Sequence, residues 1–219
     1  PAFTDFNTDR VIGRLREIDQ ADPASVTTVL TSPHSLLGPR TALNGPVRKE
    51  IERLLKRREW RDRFTDSQLG ALNHIVDNQL TLVWGPPGTG KTHFLALAVL
   101  TLLEAATRAG EPMRVLVTAF THAAIENCLR KMDSLRQDLS MGQEDAALVK
   151  LGLVYTQGCE GIDCIDPDRT AEFIKCNEQC VVGGTVYSML KAFKARPGSR
   201  PFDVVVIDEG SQVKVAESL

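Results

Sequence analysis

The sequence predicts an α/β fold, a doubly wound and mainly parallel sheet with helices on both faces. Three observations point there. From Thr65 onward, short apolar runs alternate with longer stretches striped at helical spacing. The runs are rich in β-branched residues and lack polar alternation, as in strands buried on both faces. A glycine-rich loop joins one run to one striped stretch, the strand–loop–helix order of doubly wound sheets.

Residues 1–64 form the first expected unit, an irregular segment followed by a basic amphipathic helix. Pro23, Pro33, Pro39 and Pro46 interrupt any long helix after a short one around Arg10–Asp19. From Val47 the apolar positions Val47, Ile51, Leu54 and Leu55 follow helical spacing among charged residues. Arg48–Arg63 carries eight basic and four acidic residues, which suits either a track for nucleic-acid phosphates or a solvated face. Trp60 is open to stacking on a base or to simple packing.

Residues 65–219 form the second. Thr65, Asp66 and Ser67 are capping residues for a helix with an apolar face at Leu69, Leu72, Ile75 and Val76. A strand is expected at Leu80–Trp84, a long helix at Lys91–Ala109, and a strand at Met113–Ala119. A helix over Ala123–Leu139 and strands at Cys180–Gly184 and Phe202–Ile207 complete the pattern.

Composition bounds the function. The chain has 219 residues, 42% of them hydrophobic, and a formal net charge of -2, so a nucleic-acid partner requires a local patch rather than a whole-chain field. No uninterrupted apolar run reaches the roughly 18–20 residues that cross a bilayer, and no membrane partner is expected. Five cysteines without a leader fit reduced thiols and a cytoplasmic location. Cys159, Cys164, Cys176 and Cys180 stand at spacings that leave a structural metal open beside free thiols. Their surroundings, from Glu144 to Cys180, are acidic, with eight acidic and three basic residues.

The chemistry concentrates in two places. Gly85, Pro86, Pro87, Gly88, Thr89, Gly90, Lys91 and Thr92 satisfy the phosphate-loop pattern G-x-x-x-x-G-K-[ST]. Glycines let backbone N–H groups cradle phosphates at a helix N-terminus, Lys91 reaches the β- and γ-phosphates, and Thr92 is a Mg²⁺ ligand. The apolar run Phe202–Ile207 ends at Asp208 and Glu209, the pattern of a Walker B motif. There Asp208 serves the Mg²⁺ shell, and Glu209 orients and deprotonates the attacking water.

Taken together, GPPGTGKT at Gly85–Thr92, VTAFTHAAIEN at Val117–Asn127, VVGGTVYSM at Val181–Met189 and DEGSQ at Asp208–Gln212 resemble superfamily 1 helicases. The resemblance is to the 1B branch that includes the nonsense-mediated-decay helicase and senataxin, and it runs from about Asp66 onward. It implies the first RecA-like motor domain of a P-loop NTPase, with ATP and Mg²⁺ as ligands. By the same resemblance Gln68 reads adenine, Thr121, His122 and Thr185 contact the backbone of single-stranded nucleic acid, and Gln212 links the two sites. A helix cap explains Thr121 equally well, and the family usually has Asn where His122 stands. The second RecA-like domain, which supplies arginine fingers, does not follow Leu219, so the chain is expected to be a motor-domain fragment that binds nucleotide and hydrolyses it slowly. DNA is favoured slightly over RNA as the polymer. A nucleotide-gated switch without unwinding is the alternative, and a metal-stapled interaction segment is a third.

Overall fold

The computed structural model describes residues 43, 45–86, 88–142, 145–152, 162–193 and 201–210. The helix expected near Arg10–Asp19, as well as Pro87, Cys159 and Gln212, lies outside these residues.

Five strands make one parallel sheet: β1 (Met113–Thr118), β2 (Ala147–Leu151), β3 (Asp163–Ile165), β4 (Gln179–Gly183) and β5 (Val204–Ile207). Their order across the sheet is β3-β2-β4-β1-β5. Every adjacent pair is parallel. The helices are α1 (Gly45–Leu54), α2 (Arg58–Arg61), α3 (Asp66–Asp77), α4 (Lys91–Ala109), α5 (His122–Asp138), α6 (Thr170–Cys176) and α7 (Val186–Ala192).

Period-two alternation divides the strand side chains between two cores. Val115, Val117, Leu148 and Val181 face a core built with Leu97, Leu100, Leu103, Ile125, Leu129 and Met132 of α4 and α5. Leu116, Leu151, Cys180 and Val182 face the other, with Ile174 of α6 and Met189 of α7. Helices on both faces of a parallel sheet are the doubly wound architecture.

Helix α4 is long and apolar enough, by length and composition, to cross a membrane, yet 61% of its apolar window is buried inside the fold. The interruption-free run expected of a membrane span is here a core helix, apolar around most of its circumference because helices and sheet enclose it.

The basic helix is shorter than its charge run. It ends at Leu54 and resumes as the single turn α2, after a bend at Leu55–Arg57. Val47, Ile51, Leu54, Trp60 and Phe64 are buried in the same core as α4, so apolar packing is continuous across residues 64 and 65. Trp60 is 3% exposed and is a core residue rather than a stacking platform. Part of the charge on this basic stretch is paired. Arg48 meets Asp77 at 2.6 Å, Arg61 meets Asp66 at 2.8 Å, and Arg53 meets Glu50.

Two strand expectations require correction. Leu80–Trp84 forms no ladder with any of the described residues, and Leu82 and Trp84 are 87% and 89% exposed. Local β-propensity supplies no partner, and a strand exists only where a neighbour offers its N–H and C=O groups. Among the described residues β5 is paired on one side only, to β1, and Val205 and Ile207 are exposed while Val204 and Val206 pack inward. Its apolar purity reflects a sheet-margin strand with one covered face among the described residues.

The acidic stretch holds elements that its composition does not announce. β2, β3 and α6 lie within it, and α7 follows β4. Strand β2 carries Lys150, 2% exposed, in an ion pair with the equally buried Glu126 of α5.

Candidate nucleotide site

The phosphate-loop segment owes its shape to its glycines and one threonine. Gly88 and Gly90 have φ of 81° and 78°, the left-handed region open to glycine at little cost. A Cβ on Gly85 would lie 2.8 Å from Thr89 Oγ1. Thr89 Oγ1 donates to the Pro86 carbonyl at 2.8 Å, closing the loop on itself. Helix α4 then begins at Lys91.

Lys91 Nζ donates to the carbonyls of Gly85 at 2.7 Å and Pro86 at 2.9 Å. The ammonium is therefore held across the mouth of the loop by neutral acceptors. A phosphate oxygen is a stronger acceptor for an ammonium than a carbonyl, since ionic hydrogen bonds are roughly twice as strong as neutral ones. The residues fit an anionic phosphate chain.

Asp208 follows β5 and is 7% exposed. Its backbone N–H donates to the Thr118 carbonyl of β1 at 2.9 Å, and its Oδ1 accepts from the Glu209 N–H at 2.9 Å. Its Oδ2 accepts from Thr92 Oγ1 at 3.2 Å, which joins the first turn of α4 to the end of β5. A hydroxyl and a carboxylate so placed are hard oxygen donors of the kind Mg²⁺ takes. Glu209 is exposed and has φ of 52°, uncommon for a residue with a side chain and costing on the order of 1–3 kcal/mol, of the sort found at functional positions.

Gln68 sits in the first turn of α3. Thr65 caps that helix in a capping box: Thr65 Oγ1 accepts from the Gln68 N–H at 3.3 Å, and Gln68 Oε1 accepts from the Thr65 N–H at 3.1 Å. Phe64, one residue earlier, packs edge-on against Phe94 in α4 with ring centroids 6.4 Å apart.

Thr121 and Thr185 both cap helices. Thr121 Oγ1 accepts from the Ala124 N–H at 3.2 Å, and Thr185 Oγ1 accepts from the Ser188 N–H at 3.3 Å. His122 is exposed in the first turn of α5. Pairing Val117 with Gly183 and Thr118 with Ile207 places the ends of β1, β4 and β5 side by side. Thr121, Thr185 and Asp208 thus follow three adjacent strands at the carboxyl edge of the sheet, where ligands of open α/β sheets bind.

Burial raises the thiol pKa of two cysteines. The Cys128 thiol in α5 is pushed up to about 12, chiefly by desolvation and further by the Asp208 charge. Burial pushes the Cys180 thiol up to about 12 as well, with smaller opposed contributions from Arg114 and Asp203. Cys180 is enclosed in the second core, and Cys164 and Cys176 lie nearer the surface. Among the described residues no three His, Cys, Asp or Glu side chains converge as a metal site.

Sequence reasoning missed the Lys91 contacts, the Glu209 backbone and the Phe64–Phe94 contact. None has a local signature except the positive φ, which nothing in a Glu announces.

A parallel sheet wound on both faces, with this loop and Asp208 at its carboxyl edge, defines a P-loop NTPase. Residues 63–157 match the family model described as AAA domain. The chain is 27% identical over 170 residues to the DNA replication ATP-dependent helicase/nuclease dna2 of Schizosaccharomyces pombe, covering 68% of this chain and 10% of that protein. It is 29% identical over 80 residues to the putative ATP-dependent RNA helicase ECM32 of Saccharomyces cerevisiae, 36% of this chain and 7% of the relative. Over 73 residues it is 36% identical to the NFX1-type zinc finger-containing protein 1 homolog of Caenorhabditis elegans, 32% of this chain and 3% of that one. The chain spans a tenth or less of the length of these relatives. No solved structure matches it significantly. Fold, loop and matches together support likeness of this region to the first RecA-like motor domain of superfamily 1 helicases.

Proposed function

We propose that this domain binds ATP with Mg²⁺ and hydrolyses the γ-phosphate, coupling hydrolysis to movement along single-stranded nucleic acid when a second RecA-like domain is supplied. The observation that carries this reading is the Thr92–Asp208 hydrogen bond. It brings the end of the phosphate loop and the end of β5 within 3.2 Å through two oxygen ligands.

Lys91 exchanges its Gly85 and Pro86 carbonyls for phosphate oxygens and neutralises part of their charge. Thr92 and Asp208 would hold Mg²⁺, which supplies charge neutralisation at the phosphates. Glu209, exposed beside Asp208, orients a water and takes its proton. Gln68 reads the adenine edge, since an amide both donates and accepts toward N7 and N6.

Thr121, His122 and Thr185 face the polymer at the same sheet edge, in keeping with the role their motifs have in the 1B branch. Backbone contacts of this kind carry little base information. DNA is favoured over RNA because the similarity to a DNA helicase/nuclease extends over 68% of the chain. Arginine fingers from the second domain are worth about 10³–10⁵ in rate, so the domain alone hydrolyses ATP slowly.

The test is calorimetric titration with Mg²⁺-ATP of the wild-type chain and Lys91→Ala, followed by single-turnover hydrolysis with and without single-stranded DNA. Binding abolished by Lys91→Ala, with slow hydrolysis in the wild type, supports the reading. Equal binding by both proteins sinks it. Tight binding with no hydrolysis, even beside the second domain, would favour a nucleotide-gated switch.

A further inference from the structure

We infer that the outward face of α1, with the bend that follows it, is a second surface for the phosphate backbone of single-stranded nucleic acid. The inference rests on the reading that this domain engages such a strand, and it adds a contact in the helical layer over α4, apart from the sheet edge where Thr121 and Thr185 stand.

Helical spacing fixes the face. Val47, Ile51 and Leu54 are buried on one side of α1, and Lys49, Arg53 and Lys56 recur on the opposite side of the same spiral. The spiral carries past Leu54, because the Leu55 N–H donates to the Ile51 carbonyl at 3.0 Å and the Lys56 N–H to the Arg53 carbonyl at 3.3 Å. Arg57 and Arg58 extend the row at the bend. All five cations are exposed. From Lys49 to Lys56 the rise is about 10 Å, roughly three phosphate steps along one strand.

The counter-ions of the stretch distinguish this row from a neutral, solvated face. Asp77 and Glu52 serve Arg48, Glu50 serves Arg53, Asp66 serves Arg61 and Asp138 serves Arg63. Three of these arginines tie the stretch to α3 or α5. Lys49, Lys56, Arg57 and Arg58 have no ion-pair or side-chain hydrogen-bond partner among the described residues. Glu59 and Asp62 are the acids of the stretch without a cation, which leaves a surplus of two positive charges.

The row stands on an ordered platform. Leu54, Trp60 and Phe64 are buried on either side of the bend. The Arg57 N–H donates to the Leu54 carbonyl at 2.9 Å, and the Trp60 N–H to the Arg57 carbonyl at 3.1 Å. Trp60, the one aromatic between Arg48 and Arg63, is buried, so the surface offers charge and no stacking face. Charge without stacking suits phosphates and leaves the bases unread.

The test is fluorescence anisotropy of a labelled single-stranded oligothymidylate, titrated with the 219-residue chain and with Lys49→Gln/Lys56→Gln/Arg57→Gln/Arg58→Gln at about 50 to 200 mM salt. Each phosphate contact to a single strand contributes about 0.7 to the slope of log affinity against log salt. The variant's slope should be shallower by up to ~3, and the affinity gained between the two salt limits should shrink by up to roughly 50-fold. Mg²⁺-ATP binding by calorimetry should stay at the wild-type value. Should the fourfold variant fail to give a native circular dichroism spectrum, Lys56→Gln/Arg57→Gln takes its place and should show about half the change in slope.

A wild-type slope in the variant, with oligonucleotide binding still weakened by Thr121→Ala/Thr185→Ala, overturns the inference and leaves the nucleic-acid reading standing. Displacement of the oligonucleotide by polyglutamate as readily as by unlabelled strand of equal charge also overturns it, since the surface would then suit acidic protein segments equally. A wild-type chain that binds no oligonucleotide at the lower salt limit, with or without Mg²⁺-ATP, is the separate failure, that of the nucleic-acid reading itself, and the inference goes with it.

Discussion

Thr92 Oγ1 donates to Asp208 Oδ2 across a sequence separation of 116 residues. This contact brings the two acid–hydroxyl halves of the site together, and it exists because β5 lies beside β1 in register, with Ile207 opposite Thr118. The carboxylate is then held on three sides, by Thr92, by the Glu209 N–H, and through its own N–H to the Thr118 carbonyl.

Glu209→Gln should leave Mg²⁺-ATP binding within a fewfold of wild type while lowering single-turnover hydrolysis by about 10²–10⁴, the usual contribution of a general base. Asp208→Asn should weaken the dependence of ATP binding on Mg²⁺ instead. Calorimetry with and without Mg²⁺, beside a quenched hydrolysis time course, separates the two. Equal loss of hydrolysis and binding in Glu209→Gln would contradict the assigned role.

The buried pair of Lys150 with Glu126 predicts an asymmetry in stability. Each side chain is at most 2% exposed, so removing one partner strands a charge in the core. Lys150→Met alone should cost about 3–5 kcal/mol, and combining it with Glu126→Leu should restore most of that. Urea unfolding of the single and double variants measures it, and a double variant as unstable as the single one would refute the ion-pair explanation.

Gly183 at the end of β4 is a site of close approach rather than of unusual backbone. A Cβ there would come within 2.6 Å of Leu129 Cδ1 and 2.9 Å of Ile125 Cγ2. Gly183→Ala should lower stability by about 1–3 kcal/mol as α5 shifts to make room. Thermal melting of Gly183→Ala beside Gly210→Ala is the comparison, because a Cβ on Gly210 meets nothing nearer than 3.8 Å.

His93 gives a pH dependence of known sign. Burial first, then Lys131 and Arg63, lower its pKa below the ordinary 6.5. Below 6.5 the unfolded chain binds a proton that the folded chain resists, so this residue makes stability fall as pH drops through that range; above it the residue contributes no slope. His93→Gln should flatten the stability profile on the acid side relative to wild type. An unchanged acid-side slope would show that His93 titrates normally.

The phosphate loop, Asp208 and Glu209 and the α/β class were legible in the chain, because each depends on short-range constraints: glycine spacing, acids ending an apolar run, and the two periodicities of helix and strand. The helices α4 and α5 came out within a residue or so of expectation for the same reason, since capping and amphipathicity are local. The strand expected at Leu80–Trp84 pairs with none of the described residues, and β2, β3, α6 and α7 were unannounced. Strand pairing and the packing of short helices depend on neighbours far away in sequence, which no local pattern records.

The sequence by itself therefore determined the glycine spacing of the loop, the lysine and threonine that follow it, and the two acids that end the last strand. Only the tertiary structure decided that Thr92 meets Asp208, that Lys150 is neutralised inside the core, that Trp60 packs rather than stacks, and that Phe64 ties the Gln68 helix to the phosphate loop. A residue's identity fixes what it can donate, accept or bury, whereas its partner is fixed by sheet order and register, and those are settled by the free energy of the whole folded chain.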